Sequence, residues 1–152
     1  MKLHYTWLLA LGTLASCQYL PLQRSETTVE PANNKFGDIA LQRIYTLQDE
    51  RNTTELLPYL SSPETSHRSH AALAFGSVQD TTALPALHAL LTDSATVVRE
   101  STAYALGQTG HLRSEEAIIR ALEQEQNPDG QAELLEALGK VATAKGADFL
   151  AI

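Results

Sequence analysis

Cysteine is all but missing: the 152 residues include one, Cys17. An intramolecular disulfide is therefore excluded, and so is a four-thiolate zinc site. Aromatic residues are scarce at 6%, while Ala and Leu are abundant, which favours helix over sheet. Positive charge is short as well. Lys and Arg total 11 against 18 Asp and Glu, a formal net charge of −7. Phosphate backbones require clustered cations, so nucleic acid is not an expected partner. No apolar run reaches the roughly 20 residues that span a bilayer. What remains is a core-forming composition, 43% apolar and 19% charged, with a mean hydropathy of −0.16. The length allows one ordinary domain, or one domain and a tail.

The first residues read as an address. Lys2 supplies a positive start, Trp7 to Ala15 a short apolar centre, and small residues its end, which is the pattern of a secretory signal. Leu14-Ala15-Ser16-Cys17 resembles the lipobox of bacterial lipoproteins. The resemblance implies cleavage after residue 16, a thioether-linked diacylglycerol on Cys17 and usually a third acyl chain on the new amino terminus. Stable anchoring takes two or more chains, because one contributes only about 0.8 kcal/mol per buried methylene. The alternative is a plain secreted protein in which Cys17 is incidental. Residue 18 is Gln and not Asp. In the family's sorting rule for enteric-type bacteria that implies the outer membrane, facing the periplasm. Residues 18–34 carry Pro21, Pro31 and several Ser, Thr and Asn without an apolar period, so they read as a tether. Such a coil reaches ~20–25 Å, unless Tyr19 and Leu20 pack onto the domain.

From residue 35 the chain repeats itself. Arg68-Ser-His-Ala-Ala-Leu-Ala-Phe-Gly76 and Arg99-Glu-Ser-Thr-Ala-Tyr-Ala-Leu-Gly107 are 31 residues apart. At that spacing Ala72 falls on Ala103, Ala74 on Ala105, Gly76 on Gly107 and Leu91 on Leu122. A step of 32 brings Ala137-Leu138-Gly139 under Ala105-Leu106-Gly107. The units are about 36–66, 67–97, 98–128 and an incomplete 129–152. Periods within a unit are helical, and the expected pairs are 37–49 with 53–60, 67–78 with 81–91, 95–109 with 114–125, and 130–142 with 146–152. Asp80, Asp93, Ser94, Ser114 and Asp129 stand where N-caps are expected. Gly76 and Gly107 serve close packing or a C-terminal turn.

A two-helix unit with a Val98-Arg99 entry, an Ala-x-Ala-Leu-Gly helix (Ala103 to Gly107) and a return helix from Ala117 to Leu122 resembles the HEAT-like repeat, in the short bacterial form of phycobilisome lyases. The resemblance covers most of 36–152. It implies an all-α fold, a right-handed α-α superhelix with first helices convex and second helices concave. Two positions depart from the pattern: Arg43 replaces an Ala in the first unit, and Gln131 replaces the entry Arg in the fourth. The apolar close, Phe149 to Ile152, reads as an interrupted return helix and predicts a longer parent.

Catalytic patterns are missing. His67 and His70 share metal spacing but have no evident third ligand, and none of the five histidines is followed by the Glu that HEAT-like iron hydroxylases use. No G-x-S-x-G elbow or phosphate loop occurs. Bilin lyase activity, eponymous for the family, needs a pocket that nothing in the sequence marks. Glu115-Glu116 and Glu123 to Glu125 read as solvated helix faces, and Arg68 and Arg99 as ligands of neighbouring loop carbonyls or caps. The expectation is no enzyme, no cofactor and no metal. On the return helices, Leu84, Leu87, Leu91, Ile118 and Leu122 are expected in the core. Pro85, Ala89, Glu116, Arg120 and Glu123 then face outward, with Leu57, His88 and Ile119 flanking. Pro85, His88, Ala89, Glu116, Ile119 and Arg120 are the candidate groove for a protein or peptide partner. The functional expectation is a membrane-anchored scaffold. The alternative is the recognition arm of a larger envelope enzyme, such as a peptidyl-prolyl isomerase, with the catalytic domain absent from this chain.

Overall fold

The computed structural model describes residues 37–151, and among them every regular element is helical. The lipidation candidate Cys17, the signal segment 1–16 and the tether 18–34 lie outside the described residues. The helices are α1 (Ile39–Asp49), α2 (Thr53–Leu56), α3 (Thr65–Val78), α4 (Leu84–Leu90), α5 (Thr96–Thr109), α6 (Glu115–Gln124), α7 (Pro128–Val141) and α8 (Ala144–Leu150). A 3₁₀ turn continues α2 through Ser61, and others lead into α4 and α6. The four expected pairs are therefore present, and they form an α-α superhelix. No described helix is long and apolar enough to cross a membrane.

Local chemistry sets the boundaries. Asp38 opens α1 by accepting from the amides of Ala40 at 2.8 Å and Leu41 at 3.1 Å. Asp80 takes the Thr82 amide at 2.8 Å. Asp129 is not the cap expected of it. Asn127 caps α7 by accepting from Asp129 and Gly130, because Pro128 already occupies the first helical position, where its missing N–H costs nothing. Ser94 caps nothing; Asp93 reaches past it to the Ala95 amide at 2.8 Å. Helices α3 and α5 end alike, at Gln79 (φ 59°) and Gly110 (φ 64°), the left-handed turn that glycine adopts without strain.

The first helices α1, α3, α5 and α7 pack directly on one another, and small residues make that possible. A Cβ added at Gly76 would lie 3.0 Å from Ala105 Cα, and one added at Gly107 would lie 3.0 Å from Ala137 Cα. These glycines serve close approach and not a C-terminal turn, since both helices run on past them. Return helices are held by larger side chains: Leu56, Leu60, Leu87 and Ile118 fill the space between layers, with Phe75, Leu106 and Leu138 from the first helices. Backbones in the return layer therefore stand further apart than in the first layer.

A polar ladder ties each unit to the next. Arg68 grips Asp93 with Nε at 2.8 Å and Nη2 at 3.0 Å, while its Nη1 donates to the Ser62 and Pro63 carbonyls. Thirty-one residues on, Arg99 grips Glu125 at 2.7 and 2.9 Å and donates to the Asp93 and Ser94 carbonyls. Gln131 keeps the carbonyl half of that role, donating to Glu125 O at 2.7 Å, and lacks the charge for the other half. Glu125 is thus buried at 6% exposure, a correction to its reading as a solvated residue.

Glu115 needs the same correction, at 8% exposure. Its Oε1 accepts from the Thr143 amide at 2.6 Å, the Thr143 hydroxyl at 2.8 Å and the Gly146 amide at 2.9 Å. It does for α8, from a distance, what an N-cap does locally. Those donors, the Thr143 amide foremost, hold its carboxyl below the ordinary range. A depressed folded-state value means the contribution is present above the ordinary carboxylate range and is lost on acidification. Glu115→Ala is expected to fray α8 while α1 to α7 persist, read as faster amide exchange confined to 144–150. Uniform acceleration along the chain would contradict that local role.

Candidate functional site

Because the return helices are spaced by large side chains, clefts open between them. The larger, about 310 Å³, lies between α6 and α8. Ile119 and Phe149 supply its apolar surface, and Glu116, Arg120, Glu123, Lys145 and Asp148 its charges. Glu116 accepts from Arg120 at 3.3 Å and is also bonded to Lys145. Lys145 is the chief reason the Glu116 carboxyl sits below its ordinary value. A second cleft, about 150 Å³, runs between α4 and α6, lined by His88, Leu91, Thr92, Ala117, Arg120, Ala121 and Gln124. Arg120, exposed at its tip, borders both.

Of the six groove candidates, Glu116, Ile119 and Arg120 come together in the larger cleft, and His88 joins Arg120 in the smaller one. Pro85 and Ala89 are exposed on α4 but line neither. Ile119 is 6% exposed, so most of it belongs to the core and only its edge lines the cleft. Leu122 departs in the opposite sense and is half-buried. Lys145, Asp148 and Phe149 are cleft residues that sequence reasoning did not find. Their spacing of i, i+3, i+4 places them on one helical face, a signal hidden by expecting the last helix at 146–152.

His88 is half-buried, with Nε2 3.1 Å from the buried Ser114 Oγ. Burial foremost, then Arg120 and His111, pushes its pKa below the ordinary value, so it stands neutral at pH 7. The other two histidines singled out by spacing are already engaged. His67 Nε2 is 2.8 Å from Asp38 Oδ2 and its Nδ1 3.1 Å from Ser62 Oγ. His70 Nδ1 is 2.7 Å from the Ser66 carbonyl, and its ring meets Tyr45 edge-on. Among the described residues no three His, Cys, Asp or Glu are placed to hold a metal ion.

The clefts offer shape, a small apolar surface and charges of both signs. The hydroxyl paired with His88, Ser114 Oγ, is itself buried and lines neither cleft. Such a surface suits an extended or helical peptide with apolar and charged side chains alternating. Comparison with known families returns a match to HEAT repeats over residues 53–139, more than half of the chain. No curated protein matches it.

Proposed function

This chain belongs to the HEAT-repeat family, and from that premise we propose that it is an interaction scaffold held at a bacterial membrane by lipid on Cys17. Repeats of this family commonly serve as protein-interaction scaffolds, without catalysis of their own. The observation that carries the reading here is the cleft between α6 and α8, where three groove residues chosen from sequence converge on Phe149 and Lys145. A segment of a protein partner seated there would bury an apolar side chain against Ile119 and Phe149 and pair with Arg120 or Glu116. The anchoring half rests on Leu14-Ala15-Ser16-Cys17, and Gln18 supports the outer membrane, facing the periplasm.

One experiment tests each half. In a bacterial host, the intact protein is expected in the membrane fraction and Cys17→Ala in the soluble fraction; soluble wild-type protein would sink the anchor. A photo-crosslinking side chain at position 120 is expected to give a discrete protein adduct. The same group at Ser77, exposed on α3, is expected to give none. Equal, diffuse labelling at both positions would remove the basis for a cleft partner.

A further inference from the structure

We infer that the cleft between α6 and α8 takes a basic side chain of its partner, a lysine or arginine whose aliphatic stem lies on Ile119 and Phe149 and whose charged head meets Glu123 and Asp148. This rests on the reading of the cleft as the partner site and adds the charge of what enters it. The charges lining the cleft are unevenly matched: Glu116, Glu123 and Asp148 are carboxylates, Arg120 and Lys145 cations. Both cations converge on one acid. Arg120 Nη1 lies 3.3 Å from Glu116 Oε1, and Lys145 is bonded to Glu116 Oε2. The side chains of Glu123 and Asp148 have no ion pair or hydrogen bond among the described residues. The charge left without an opposite is therefore negative.

The two helices start side by side, because Glu115 at the head of α6 is bonded to Thr143 and Gly146 at the head of α8. Glu116 with Lys145 bridges the helices at that end. Glu123 stands about two turns further along α6, and Asp148 nearly one turn further along α8, at a rise of about 1.5 Å per residue. Beyond the bridge, each wall of the cleft thus carries an unopposed carboxylate beside its apolar residue: Glu123 one turn after Ile119, and Asp148 next to Phe149.

Chemistry selects among occupants. A side chain that fills the cleft displaces water from two carboxylates that nothing else pairs, and an unpaired charge is costly to desolvate. An aliphatic side chain leaves that cost in place, and an acidic one adds repulsion. Lysine and arginine avoid both, since they lay an apolar stem along apolar surface and carry the charge at its end. The neighbouring cleft between α4 and α6 has no carboxylate among its lining residues, so the preference for a cation belongs to one cleft and not to the whole return layer. The formal net charge of −7 draws a basic segment in from a distance without choosing where it sits.

A display library of random dodecapeptides, panned on the full chain carrying Cys17→Ala to keep lipid out, tests the preference. Retained peptides are expected to combine Lys or Arg with Leu, Ile or Phe. Adding Glu123→Gln with Asp148→Asn is expected to weaken them roughly tenfold, with helix content and Tm unchanged, since both residues are exposed. Removing two exposed carboxylates elsewhere, by Asp49→Asn with Glu64→Gln, is expected to leave binding as it was. Equal weakening by the two pairs would mean general attraction to an acidic protein and overturns the inference. Neutral or acidic peptides that label a photo-crosslinking side chain at position 120 overturn it too, while leaving the cleft as the partner site. Peptides that never label position 120, or a library that retains none, overturn both.

Discussion

Gly107→Val is expected to lower stability by about 3 kcal/mol or more, the upper part of the range for overpacked cores. For a domain of this size that is a fall in Tm on the order of 15 °C. The first atom of the new side chain would already lie 3.0 Å from Ala137 Cα, 3.2 Å from Ala137 Cβ and 3.3 Å from Lys140 Cδ. Neither helix backbone can yield by itself, because α5 is also packed on α3 and α7 carries the last hairpin. The branched atoms of valine then have nowhere to go. Gly107→Ala separates packing from propensity. In an exposed helix that change would add about 1 kcal/mol of stability; at Gly107 the contact is expected to reverse the sign, and at Gly139, where an added Cβ would meet nothing within 4 Å, the sign is expected to hold. Thermal unfolding followed by circular dichroism measures all three variants. A Gly107→Val chain that melts with the wild type would show that the units are not in the close contact described.

Arg99→Met should come next in size, at about 3 kcal/mol, because removing one member of a buried ion pair leaves its partner uncompensated. Glu125 would keep only the amides of Gln126 at 3.0 Å and Asn127 at 2.9 Å. Its carboxylate is 3% exposed, against 19% for the Arg99 side chain. The Arg99 guanidinium, foremost, holds the Glu125 carboxyl down to about 2 from 4.5, with burial opposing. The sign follows from that depression. The ion pair contributes in full above 4.5, and its contribution is lost as pH falls towards 2. Wild-type stability is therefore expected to decline on acidification through that window. The Arg99→Met protein starts lower and declines less, so the gap between the two urea midpoints should narrow below pH 4.5 and be clearly smaller at pH 3 than at pH 7. A constant gap from pH 7 to pH 3 would mean that the pair contributes little. Arg68→Met repeats the test one unit earlier, where Asp93 is 9% exposed.

Helix pairing was legible in the residues because small and large apolar positions recur with the period of the unit. Ala74, Ala105 and Ala137 mark where backbones meet, and Leu87 with Ile118 mark where they do not. The arginines were legible as loop ligands from their place at helix entries. Their acidic partners were not, since Asp93 and Glu125 lie 25 and 26 residues away and one is Asp where the other is Glu. The cleft was half legible. Glu116 and Arg120 fall on an outward face by helical spacing, but their neighbour Lys145 belongs to the next hairpin, at a spacing of 29 residues.

Local pattern thus specifies what each short stretch becomes: helix, turn, close-packing face or open face, since these depend on residues within one unit. Which carboxylates are buried was a matter of three-dimensional packing. Glu115 and Glu116 are adjacent and chemically alike, yet one is enclosed by Thr143 and Gly146 and the other looks into the cleft. A rotation of about 100° along the helix separates them, and only the docking of α8 turns that rotation into burial for one and exposure for the other.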